Sequence, residues 1–214
     1  MEVNTSLPSN FSKYAILEPA KNLRFIIGAT VTGIASLLLF GWLLVLFTNF
    51  LRPAALDSMR LRYLIRSTPT ATSLDIPFAL FRDLFIALAA MLIIHELVHG
   101  LFYWLLSRKR PKFGFHGLFP YAAAPIGVYF PRNQFLTIGL APLVLLTIVG
   151  LLLIVIAPIS LVPFLLFFVA FNAAGAAGDL IMVIQLMTFS SDTVMEDNDA
   201  GVTIYGPKRS KNTA

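Results

Sequence analysis

Four long apolar runs divide the chain, and polar or broken stretches separate them. The first, Phe25 to Leu51, holds no ionisable residue in 27 positions. The second runs from Leu84 to Leu106, with Arg82 and Asp83 marking its start. A third covers Phe135 to Ala157 and a fourth Leu161 to Phe189. Crossing a bilayer core takes about 20 helical residues, so each run is long enough to span. Helix is the expected form, because in lipid every backbone polar group must find its partner within its own segment. The Gly and Pro residues inside the runs (Gly139, Pro142, Gly150, Gly175, Gly178) are compatible with membrane helices.

The intervening segments read differently. Arg108 to Arg132 contains Gly114, Gly117, Pro120, Pro125, Gly127 and Pro131 among Phe, Tyr and Val residues. That mixture suits short strands, and the segment is too apolar for a solvent loop and too broken for a fifth span. It predicts an irregular or β-hairpin membrane-associated element between the second and third helices. Arg52 to Asp75 is a polar connection with room for a short helix. The expected class is therefore an all-α membrane protein with about four transmembrane helices. Residues 1–190 form the membrane domain and 191–214 a polar C-terminal tail.

Composition agrees. Hydrophobic residues make up 57% of the 214, charged residues only 13%, and mean hydropathy is +0.81. Ordinary soluble domains carry about 25% charge. Disorder is excluded as well, since it needs low hydrophobicity and high net charge. There is no Cys, so disulfides, thiolate metal ligands and thiol nucleophiles are ruled out. The net charge of +5 is modest and reports loop orientation rather than nucleic-acid binding. With four spans, the N-terminus, the 107–133 loop and the tail share a side and hold eleven of the sixteen Lys and Arg residues. That excess predicts a multi-pass cell-membrane protein with both termini cytoplasmic.

Scarcity of charge makes the exceptions informative. Away from the span ends, the acidic, basic and histidine residues within the runs are His95, Glu96, His99 and Asp179. Such groups are costly in a bilayer unless paired or ligated. His95-Glu96-Leu97-Val98-His99 has the H-E-x-x-H pattern. On a helix, positions i and i+4 share a face, so both imidazoles can hold one Zn²⁺. Glu96 sits beside that metal without ligating it and can take a proton from the zinc-bound water. With three His and four Glu in the chain, the pattern arises by chance about once in a thousand such sequences.

A catalytic zinc takes a third protein ligand and keeps one open position. Asp179 suits that role by depth. His99 lies 8 residues before Ser107 and Asp179 lies 11 before Ser190, which sets them about 12 and 16 Å from the same end of their helices. Small residues from Ala173 to Gly178 let helices approach closely there. His116, in the irregular segment, is the rival third ligand. Asn172, two turns before Asp179, either binds substrate, orients a ligand or joins helices. Arg108-Lys109-Arg110 anchors a span end at anionic headgroups. The acidic run Glu196-Asp197-Asn198-Asp199 lacks calcium-loop spacing and reads as a solvated tail.

His95-Glu96-Leu97-Val98-His99-Gly100 in one span, followed by Asn172…Gly178-Asp179 in a later one, resembles a bacterial membrane family described as putative zincin peptidases. Asp197 through Tyr205 resembles that family's tail. More distantly, the core is similar to site-2-protease-type intramembrane metalloproteases. That resemblance implies His95, His99 and Asp179 as ligands, Glu96 as base, and a membrane-associated β segment over 112–130 near the substrate. Unlike the site-2 pattern, Gly178 precedes the Asp, Gly175 stands where a Pro is expected, and no PDZ-like insertion is present. The expected function is a zinc metalloprotease acting on peptide or membrane-protein substrates in the bilayer. Its rivals are a non-catalytic metal-binding scaffold or pseudoprotease and a metal-ion transporter. Intact Glu96 argues against the scaffold, and ionisable residues confined to one layer argue against transport. Substrate identity and oligomeric state are not written in the sequence.

Overall fold

A computed structural model describes residues 3–58, 65–67, 72–74, 78–116, 119–198 and 201–208. Helix α1, Leu23–Leu51, begins at Asn22, whose side chain accepts hydrogen bonds from the backbone N–H groups of Arg24 and Phe25. A short helix α2, Pro53–Ser58, follows in the polar connection. Strands β2 (Ile65–Ser67) and β3 (Thr72–Leu74) then pair antiparallel. Helix α3 covers Phe78–Ser107 and α4 covers Arg132–Ile156. The fourth run is two helices, α5 (Val162–Gly175) and α6 (Ala177–Met187), which meet at Ala176.

Among the described residues, four helical stretches are long and apolar enough to cross a membrane: Leu23–Leu51, Leu80–Ser107, Arg132–Ile156 and Ile159–Met187. They follow the expected spans closely, and α3 starts six residues earlier than expected. Arg82 and Asp83 pair at 2.7 Å on its first turns. Large apolar side chains such as Leu38, Trp42, Phe85 and Leu152 stay exposed around the bundle. Soluble monomers rarely expose contiguous apolar surface on that scale.

Strands add to the expected all-α class. Between α3 and α4, β4 (Lys112–His116) and β5 (Phe119–Ala123) form an antiparallel hairpin with Phe113 opposite Ala122. A four-stranded sheet of order β1-β8-β7-β6 joins Phe11–Leu17 (β1), Phe130–Pro131 (β6), Val194–Asn198 (β7) and Gly201–Pro207 (β8). It gathers the segment before α1, the residue pair before α4 and the chain after α6 at one end of the bundle. The C-terminal stretch is thus not a free tail. Its Met195, Val202 and Ile204 are buried against Tyr103, Phe130, Phe135 and Leu186. Pairing of such distant segments depends on the assembled bundle, so no local pattern announces it. Gly201 takes φ +142°, and a Cβ there would collide with the Leu17 carbonyl where β8 meets the end of β1.

Two apolar clusters result. One fills the bundle around Met91, Val98, Leu146, Leu166 and Val169. The other lies between the bundle end and the sheet. The polar groups of the next subsection sit between them.

Candidate metal centre

His95, His99 and Tyr103 follow one another at i, i+4 and i+8 on α3, so they line one helical face. Helix α3 packs against α4 and α5, and its two histidines reach Asp179 of α6. Gly100 turns toward the hairpin instead: a Cβ there would run into the ring of Phe113 on β4. The glycine after the motif therefore lets the hairpin lie against α3.

Asp179 reaches the histidines because the fourth run is broken. Ending α5 at Gly175 and restarting at Ala177 puts Asp179 in the first turn of α6. Unpaired N–H groups and the helix dipole favour a carboxylate there. Asp179 Oδ2 lies 3.1 Å from His95 Nε2 and 3.4 Å from His99 Nε2. Among the described residues these three form a group that can hold a metal ion, with ligand atoms within 4.8 Å of one another. Tetrahedral zinc with bonds of about 2.0–2.2 Å sets its ligand atoms about 3.3 Å apart. The two Asp179 distances match that spacing.

The other imidazole nitrogens are already engaged. His99 Nδ1 is 3.0 Å from the Ile138 carbonyl oxygen. His95 Nδ1 is 3.1 Å from Asn172 Oδ1, and Asn172 Nδ2 donates to the Pro142 carbonyl at 3.2 Å. Carbonyl oxygens only accept, so each Nδ1 carries a hydrogen, and the Nε2 that faces Asp179 is the nitrogen left to ligate a metal. Zinc-binding histidines are commonly held in this way. Both histidines and Asn172 are buried. Asn172 on α5 thus joins α3 and α4 by hydrogen bonds, and its partner on α3 is a histidine of the group.

Glu96 lies next to these groups and accepts a hydrogen bond from the Ala122 N–H of β5 at 2.7 Å. With His99, Asp179, Tyr103, Ala122 and Asp197 it lines a cavity of about 340 Å³. Gly178 lines it too, and a Cβ there would meet nothing within 4 Å. A metal held by three donors, a carboxylate and room for a ligand are the parts a hydrolytic centre requires.

Asp197, Tyr103 and the Ile138 carbonyl had no site role in the sequence reading. Asp197 Oδ2 accepts from the Tyr103 hydroxyl at 2.9 Å and from the Ala124 N–H at 3.0 Å, tying β7 to α3 and to the residue after β5. The acidic run is therefore not simply a solvated tail, and its Glu196 likewise accepts from the Tyr205 hydroxyl. The i+8 position of Tyr103 was the available signal for one of them. Backbone carbonyls such as that of Ile138 leave no residue-type signal at all. His116 ends β4 opposite Phe119, and its side chain lies outside the described residues.

A family model described as putative zincin peptidase matches residues 88–194. The chain belongs to that family. The match runs from α3 ahead of His95 to the first residue of β7 and so contains every residue of the His-His-Asp group, Glu96 and Asn172. It leaves out β1, α1, Asp197 and β8. Comparison with curated proteins and with solved structures found no match.

Proposed function

We propose that this zincin-family protein is a membrane-embedded zinc metalloprotease, with His95, His99 and Asp179 as metal ligands and Glu96 as general base. The observation that carries the reading is the approach of one Asp179 oxygen to both Nε2 atoms, 3.1 and 3.4 Å away, in a cavity that Glu96 shares. Zinc, when bound, supplies a Lewis acid that polarises a carbonyl and acidifies water. Glu96 takes the proton of the attacking water and returns it to the departing amine. The Ala122 N–H fixes the Glu96 carboxylate at the cavity wall. Asn172 and the Ile138 carbonyl hold a hydrogen on each Nδ1 and turn each Nε2 toward the metal position.

Membrane embedding is supported by the four apolar helices and their exposed apolar side chains. The excess of Lys and Arg on the side of the sheet supports cytoplasmic termini. The β4–β5 hairpin, with Phe113 and Phe115 exposed, suits a membrane surface. Substrates would be peptide segments, membrane-protein segments included, that reach the cavity beside β5.

The test is zinc content and peptide cleavage by the purified protein in detergent. One zinc per chain is expected, with cleavage lost on chelation and regained on adding zinc. Cleavage that persists in zinc-stripped protein contradicts the reading. Zinc uptake into liposomes without any cleavage would replace it with transport.

A further inference from the structure

Pro142 stands inside α4, ten residues from its start, and the helix continues past it. In a regular helix the N–H of residue 142 would bond the carbonyl of residue 138. Proline has no N–H, and its ring crowds the carbonyl four residues back. The Ile138 carbonyl thus lacks its ordinary donor, in a place where Ile138 is only 1% exposed. A buried carbonyl without a partner is costly. His99 Nδ1, 3.0 Å away, supplies the missing hydrogen.

We propose that Pro142 is a positioning residue for the histidines of the metal centre: by lacking an N–H it reserves the Ile138 carbonyl for His99 Nδ1. This rests on the metal reading above. Because the carbonyl can only accept, the bond holds a hydrogen on Nδ1 and turns Nε2 toward Asp179 and the metal position. The same residue serves the other histidine through its own carbonyl. It accepts from Asn172 Nδ2, which turns the amide oxygen toward His95 Nδ1. One turn of α4, residues 138–142, therefore orients both imidazoles through two backbone carbonyls, one directly and one by way of Asn172. The second arm uses a backbone carbonyl that any residue would provide, so substitution at 142 acts on the His99 arm.

A kink that only serves helix packing is the competing account, and the two differ in what alanine does. Pro142→Ala restores the N–H, which reclaims the Ile138 carbonyl in a better helix former. Zinc affinity, measured by competition with a chromophoric chelator, should fall 10–100-fold, the usual cost of removing an outer partner of a metal-bound histidine. In metal-free protein, ¹⁵N-histidine NMR should show His99 Nδ1 as fully protonated in the natural chain and as partly deprotonated in Pro142→Ala. A lactic acid unit at position 142 has the alanine side chain with an ester oxygen in place of N–H. It should return both readouts to those of the natural chain, as ring shape alone would not.

Unchanged affinity and unchanged protonation of His99 Nδ1 in Pro142→Ala overturn the proposal. So does a lactic acid chain that behaves like the alanine one. If the natural chain binds no zinc, the metal reading fails, while the metal-free comparison of Nδ1 protonation still decides the role of Pro142.

Discussion

The helical bundle and the sheet at its end meet at one cavity, and each brings an aspartate to it. Asp179, from the bundle, lies within 3.4 Å of both imidazole Nε2 atoms. Asp197 comes from the sheet. It holds the hydroxyl of Tyr103 and the N–H of Ala124, which are the next turn of the histidine helix and the residue after β5. The first aspartate belongs to the group that can hold a metal, and the second joins the walls around it. A carboxylate in an apolar bundle must be ligated or paired to be tolerated. A carboxylate in a sheet at the bundle end faces no such demand and can serve the architecture.

That contrast is open to direct attack. The larger effect is expected from Asp179→Ala, which removes one of three donors. Zinc affinity should drop by more than about 100-fold, beyond the loss expected for outer partners. His116→Ala measured beside it should keep its zinc. If instead His116→Ala loses the metal and Asp179→Ala keeps it, the third ligand moves to β4. A smaller and different effect is expected from Asp197→Ala. Two donors lose their acceptor, which costs about 1–3 kcal/mol of stability for each partner left buried and unsatisfied. Thermal unfolding in detergent should register the loss while zinc stoichiometry stays at that of the natural chain. Loss of zinc from Asp197→Ala at a temperature where the chain is folded would erase the distinction between the two aspartates.

The same contrast explains what the sequence makes legible. In the bundle, charge is so rare that His95, Glu96, His99 and Asp179 stand out at once, and helical periodicity ties the first three together. Asp179 lies 3.4 Å from His99, although the fourth run breaks at Ala176 and the Asp sits in a first turn rather than mid-helix. In the sheet, acidic residues are ordinary, so Asp197 is hidden in the run Glu196 to Asp199. The sheet itself is built from β1, β6, β7 and β8, whose pairings span most of the chain and leave no local pattern. The hardest feature to read is the oldest rule about proline turned to use. Pro142 is visible in the sequence as a residue tolerated in membrane helices, but the carbonyl it frees becomes meaningful only when α3 packs beside α4.

The central claim is that this chain uses a zinc site with a neighbouring carboxylate to hydrolyse peptide bonds. Glu96→Gln tests it most directly, since the amide keeps the size of the side chain and removes the base. Zinc per chain should match the natural protein, while kcat for peptide cleavage should fall about 10²–10⁴-fold. Undiminished hydrolysis by a fully zinc-loaded Glu96→Gln protein would contradict the account.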